Sequence, residues 1–177
     1  EMCIRDRLAG LLASMRAADG TIRVPGFYAD VRPLDASDRE ALAGIPRVEE
    51  DLLREFDLAW SEGRGERLEE LVMRPALNIR GLQSGAVAEK AANAVPAEAR
   101  ASIDFRLVAD QRPERVRELV EAHIRGLGWT IVHEPPDAEA KRRTPRLVLL
   151  EWEGGYPAYR AALDAPFSRA LVRALGP

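Results

Sequence analysis

The chain has 177 residues, 46% of them apolar and 31% charged, enough for one domain that buries roughly two thirds of its unfolded surface without covalent staples. A formal net charge of −3, with the basic residues spread along the chain, gives no electrostatic footprint for nucleic acid or an anionic membrane. One cysteine, Cys3, excludes an internal disulfide framework and a clustered thiolate metal site, no apolar run is long enough to cross a bilayer, and a reducing cytoplasm is the expected compartment.

From the N-terminus, Glu1 to Arg7 lacks the apolar core of a signal peptide. Leu8, Leu11, Leu12 and Met15 fall on one helical face, and Asp19-Gly20 supplies a stop. Thr21 to Val24 alternates weakly, which predicts a short extended piece broken by Pro25-Gly26-Phe27. Ser37-x-x-Glu40 has the pattern of a capping box, in which the serine oxygen accepts from a free first-turn N–H and the glutamate reaches back. Two more acidic helices follow, striped by Val48, Leu52, Leu53 and Phe56 and then by Leu68, Leu71 and Val72, so residues 35–74 read as a helical insertion.

From Pro75 the period changes to two. Leu77-Asn78-Ile79-Arg80 predicts a strand running into a turn at Gly81 to Gly85. In Ala101 to Ala109 the residues Ala101, Ile103, Phe105, Leu107 and Ala109 share one face, leaving Ser102, Asp104 and Arg106 on the other. Pro113 begins a helix striped by Val116, Leu119, Val120, Ile124 and Leu127. Trp129 to His133 and Leu147 to Trp152 read as strands, Lys141-Arg142-Arg143 between them as a solvated loop, and Pro166 to about Leu175 as a last helix.

Helix, strand, strand, helix and strand in that order match most of a ferredoxin-like βαββαβ unit, an antiparallel sheet with two helices on one face. The expected class is therefore α+β with a helical insertion, and the unit's first strand would lie before residue 1. The terminal helix has no place in that unit.

Chemistry is sparse. A metal-dependent hydrolase needs several converging His, Asp or Glu ligands, and the two histidines, His123 and His133, have no ligand-like spacing. Glu49-Glu50-Asp51 and Glu69-Glu70 fall on amphipathic helices whose polar faces need charge, and no serine has a nucleophile-elbow context. Gly81-x-x-x-Gly85 lacks the Lys-Ser/Thr of a triphosphate loop.

One series of motifs carries more. Asn78-Ile79-Arg80-Gly81-Leu82-Gln83-Ser84-Gly85, then Asn93-Ala94-Val95-Pro96, Asp104-Phe105-Arg106-Leu107-Val108 and Gln111-x-Pro113-Glu114 resembles the lid, or dimerisation, domain of metallopeptidase family M-twenty. That family includes carnosinase-like dipeptidases, aminoacylases and succinyl-diaminopimelate desuccinylase. Asp19-Gly20, Pro25-Gly26-Phe27-Tyr28 and Glu153-Gly154-Gly155-Tyr156 extend the resemblance to about residues 8–175.

The resemblance implies a parent enzyme with two zinc ions, bound by segments not present here, that hydrolyses peptide or N-acyl amide bonds of small carboxylate-bearing substrates. It implies a homodimer through the lid and an inactive fragment without catalytic or metal residues; a sheet edge and the first helix are the expected contacts, since an exposed strand edge invites pairing that a second copy would satisfy. Arg106 corresponds to the lid arginine that holds the substrate carboxylate, and Asn93 to the lid residue that reaches the partner subunit's site. An arginine on the polar face of an apolar-backed strand fits such a grip independently, although the same position also suits an arginine paired with a neighbouring acid.

The expected domains are a non-matching start at 1–7, which resembles translated adapter sequence, the lid at 8–160, and the beginning of a return to the catalytic domain at 161–177. The alternative is a free-standing ferredoxin-like regulatory module in which Arg106 grips an anionic small molecule.

Overall fold

A computed structural model describes residues 3–63, 65–91 and 95–175. Helix α1 spans Ile4–Met15 and buries Leu11, Leu12 and Met15. It begins four residues ahead of the apolar stripe that predicts it, with Ile4, Arg5 and Asp6 exposed. The chain then doubles back: Asp19 accepts from the Thr21 N–H at 3.0 Å, Gly20 takes a φ of +84°, and Arg23 N–H donates to the Met15 carbonyl at 2.7 Å. The extended piece expected at 21–24 is reduced to a single bridge, Arg16 to Ile22, yet it places Ile22 and Val24 in the core.

Pro25-Gly26 forms a type II turn. Phe27 N–H donates to the Val24 carbonyl at 3.1 Å, proline supplies the first central φ, and Gly26 carries the positive φ of +78° that the second position requires. The turn drives Phe27 inward until it is 1% exposed.

The insertion holds three short helices, α2 (Ala36–Ala43), α3 (Glu49–Glu55) and α4 (Leu68–Leu71), none of which buries a residue. The capping box is present but two residues earlier than expected. Asp35 accepts from the Asp38 N–H at 2.9 Å and Asp38 accepts from the Asp35 N–H at 3.0 Å. Ser37, instead of capping, donates to Asp35 at 2.7 Å. Polar contacts tie the insertion together: Glu49 accepts from the Leu68 N–H at 2.9 Å, and Arg16 at the end of α1 pairs with Glu62.

Strand β1 (Ala76–Gln83) pairs antiparallel with β2 (Arg100–Arg106), with Leu77 opposite Phe105 and Asn78 opposite Asp104. The register slips between Ile79 and Gly81, so β1 runs through the glycine that the sequence suggests as a turn; glycine tolerates the bulge. Beyond β2, Gln111 is 3% exposed and bonded through both ends of its amide: its Nε2 donates to the Phe27 carbonyl at 2.9 Å and its Oε1 accepts from the Val108 N–H at 3.2 Å.

Helix α5 (Pro113–Gly126) buries Val116, Val120 and Ile124 as its stripe predicts. Strands β3 (Thr130–Val132) and β4 (Leu147–Leu149) pair in parallel, the crossover between them carrying α6 (Ala138–Arg143). The basic run expected as a loop is thus the last turn of α6, capped at its start by Asp137, which accepts from the Ala140 N–H at 2.7 Å; the basic end suits the helix dipole. Helix α7 (Pro166–Leu175) closes the described chain with no buried residue.

The architecture is α+β with an antiparallel pair at its centre. Strands β2 and β3, joined by α5, belong to different pairs, as the two strands flanking the helix of a split βαβ unit do. Leu11 and Met15 of α1, Val116, Val120 and Ile124 of α5, and Leu77 of β1 form one cluster with Ile22, Val24 and Phe27, and Ile103, Phe105, Ile131 and Val148 from the strands pack against it. Both long helices therefore cover the strands' apolar residues, leaving the polar face of β1–β2 free of them.

Candidate functional site

The two histidines are both committed. His123 Nε2 lies 3.0 Å from Ser14 Oγ, whose own proton goes to the Leu11 carbonyl at 2.6 Å. With that single proton spent, the hydroxyl accepts and His123 donates, so the imidazole presents no lone pair to the serine. A nucleophile and base need the opposite arrangement, and the pair acts instead as a staple between α1 and α5. His133 Nδ1 is 2.9 Å from the Leu150 carbonyl, which can only accept, so this nitrogen carries a proton as well.

Burial holds the His123 imidazole below its ordinary value of 6.5. A base with a depressed folded pKa is neutral in the fold while the unfolded chain takes up the proton, so stability is full above the unfolded value and declines as pH falls below it. We expect the unfolding free energy to decrease between pH 7.5 and 5.5, and His123→Gln to flatten that slope; identical slopes for both proteins would refute the assignment. Ser14→Ala, which strips the imidazole N–H of its acceptor, is expected to cost about 1–2 kcal/mol, read as a lower denaturation midpoint.

A carboxylate the sequence did not single out is the best-connected acid in the described chain. Glu121, 7% exposed, receives Arg117 Nε at 3.0 Å, Arg125 Nη2 at 2.7 Å and Trp152 Nε1 at 3.0 Å. Burial pushes its carboxyl up, but the hydrogen bonds from Arg117, Arg125 and Trp152 together outweigh that and hold it below the ordinary glutamate range. The Arg-x-x-x-Glu-x-x-x-Arg spacing was readable as two i,i+4 pairs. With every bond pointing to protein, Glu121 fastens Trp152 to α5 rather than offering a proton.

Among the described residues, no three His, Cys, Asp or Glu side chains converge in a way that could hold a metal ion. The donor set that two zinc ions require is not met by them. Of the acidic runs, Glu49 caps the Leu68 N–H and Glu69 accepts from Arg67 Nε at 3.3 Å, both structural uses.

What remains is the polar face of β1–β2. Arg106 is the last residue of β2, its side chain 73% exposed, and its Nε donates to Asp104 Oδ2 at 2.6 Å. Asp104 is 26% exposed and sits opposite Asn78 on β1, while Arg106 sits opposite Ala76. The arginine is thus both exposed on the expected face and paired with a neighbouring acid. Its Nη1 and Nη2 groups have no partner among the described residues. A hollow of about 270 Å³ lined by Arg16, Asn78 and Ile79 opens at the Asn78 end of this face. Asn93, the other substrate-binding candidate, lies outside the described residues.

The comparisons with known proteins bear on the family and the fold. The family model described as peptidase dimerisation domain matches residues 6–128, from α1 through the end of α5. Three solved structures are similar. The M20 family metallo-carboxypeptidase Sso-CP2 from Sulfolobus solfataricus is 27% identical with a TM-score of 0.67 over 73% of this chain and 35% of its own. The di-peptidase Dug1p from Saccharomyces cerevisiae is 24% identical with a TM-score of 0.58 over 68% of this chain and 26% of its own. Human carnosine dipeptidase 1 is 23% identical with a TM-score of 0.62 over 69% of this chain and 26% of its own. The last two show the fold alone, and this chain spans about a third of the first structure and a quarter of the others. No curated protein sequence matches. With the model covering more than half of its length, the chain belongs to the peptidase dimerisation domain family.

Proposed function

We propose that this chain is the lid and dimerisation part of a zinc-dependent, dipeptidase-like hydrolase that cleaves peptide or N-acyl amide bonds of small substrates bearing a free carboxylate. The two zinc ions and the catalytic groups belong to segments outside the chain, which alone is inactive. The lid contributes to substrate binding and to a homodimer, with the compartment a reducing cytoplasm. The observation that carries the reading is Arg106: an exposed guanidinium at the end of β2 whose terminal nitrogens have no partner among the described residues, the geometry for a bidentate grip on a carboxylate. Asn93 is proposed to reach the partner subunit's site.

The test uses the full-length protein loaded with zinc. It should sediment and scatter light as a dimer and hydrolyse dipeptides in strong preference to their C-terminal amides. Equal rates on acid and amide, or a monomer with full activity, would overturn the reading, and hydrolysis by the 177-residue chain alone would place catalysis inside it.

A further inference from the structure

We propose that Asp104 is a positioning residue for Arg106, fixing the guanidinium side-on so that its two terminal nitrogens face outward together. This rests on the reading of Arg106 as the carboxylate grip. The two residues are two apart on one strand, so their side chains leave the same face about 7 Å apart. Among the described residues the one hydrogen bond of the guanidinium is Nε to Asp104 Oδ2 at 2.6 Å, which consumes one of its five N–H donors and leaves the four on Nη1 and Nη2.

The neighbours make this contact directional. Asp104 is the less exposed partner, 26% against 73%, and stands opposite Asn78 in the register, whereas Arg106 stands opposite Ala76, which offers no polar side chain. The acid is therefore the anchored end and the arginine the presented end. A free arginine loses much rotamer entropy on binding, and a pre-formed orientation removes part of that cost.

The charge of Asp104 acts in the opposite sense, since a carboxylate beside the guanidinium opposes the approach of a second one. Orientation and charge are separable. Asp104→Asn keeps an acceptor for Nε and removes the charge, whereas Asp104→Ala removes both. If orientation dominates, alanine harms recognition and asparagine restores it; if charge dominates, both variants improve it.

The experiment measures kcat/KM of the full-length zinc-loaded enzyme on alanyl-alanine and on its C-terminal amide, taking the ratio as carboxylate discrimination. Asp104→Ala should lower the ratio by about 3–10-fold, the scale of ordering one rotamer-rich side chain, through KM with kcat nearly unchanged. Asp104→Asn should stay within about twofold of wild type, and Asp104→Ala in an Arg106→Lys background should add nothing, because lysine has no Nε to hold. Thermal melts of each variant separate these outcomes from misfolding; should alanine fail to fold, Asp104→Ser carries the same expectation. A ratio unchanged or raised by Asp104→Ala, while Arg106→Ala abolishes it, overturns the positioning role alone. A ratio that Arg106→Ala leaves intact overturns the carboxylate grip and this role with it.

Discussion

Phe27→Ala should lower the unfolding free energy by about 3–5 kcal/mol, the range for removing a buried aromatic ring. The ring is 1% exposed and stacks on Phe105 of β2 at 6.0 Å between centroids and 28° between planes, with Tyr28 edge-on at 6.0 Å. Phe105 in turn stacks on Trp152 at 6.1 Å, the residue that Glu121 fastens to α5. Truncation therefore opens a cavity among the turn, the antiparallel pair and α5, and the surroundings have little freedom to collapse. The backbone there is fixed twice, by the Pro25-Gly26 turn and by Gln111 Nε2 donating to the Phe27 carbonyl at 2.9 Å. Phe27→Leu keeps most of the volume and should cost less than about 2 kcal/mol. Urea denaturation of both variants tests the claim, and a loss under about 1 kcal/mol for alanine would show that Phe27 is not the keystone its burial suggests.

Legibility in the sequence followed the strength of local signals. Helix α5 was readable because a first-turn proline, a five-residue stripe and two glycines all agree, and it occupies Pro113–Gly126 as they predict. The alternation in β2 was readable too, and with it the face on which Arg106 stands. The strand nevertheless ends at Arg106 rather than Ala109, since Ala109 is drawn into the core by the buried turn that Gln111 ties to Phe27, a tertiary constraint with no local trace. The capping box moved two residues because Asp35-x-x-Asp38 satisfies the same pattern as Ser37-x-x-Glu40 and lies nearer the helix start. The insertion's stripes, which predicted packed faces, leave Phe56 62% and Val72 65% exposed; periodicity reports which residues share a face and not whether anything covers it.

The candidate site divides in the same way. The side of β2 that carries Arg106 follows from a period of two, but its geometry does not. That Nε is taken by Asp104 while the terminal nitrogens stay open depends on rotamers, and on a register that sets alanine opposite the arginine. The role of His123 was likewise hidden, because the serine that fixes its tautomer comes from α1, 109 residues away in sequence.

Arg106→Ala should lower kcat/KM of the full-length enzyme on a dipeptide about 100–1000-fold, equivalent to roughly 3–4 kcal/mol at 1.36 kcal/mol per factor of ten. Two charge-assisted hydrogen bonds to a carboxylate, each worth about 1.5–3 kcal/mol, set that scale. The same variant should leave hydrolysis of the dipeptide amide within about threefold of wild type, since the amide offers the guanidinium no charge to meet. Arg106→Lys preserves the charge but not the fork, and it also loses the Nε that Asp104 holds; it should fall between, near a tenfold loss. If the carboxylate is gripped equally before and during bond cleavage, these losses appear in KM; if the grip aligns the scissile bond, they appear in kcat. Because Arg106 is largely exposed and its hydrogen bond among the described residues is to Asp104, the unfolding midpoint should be nearly unchanged in either variant. Arg106→Ala acting equally on acid and amide would remove the carboxylate from the role proposed for this face of the sheet and leave the arginine as the surface partner of Asp104.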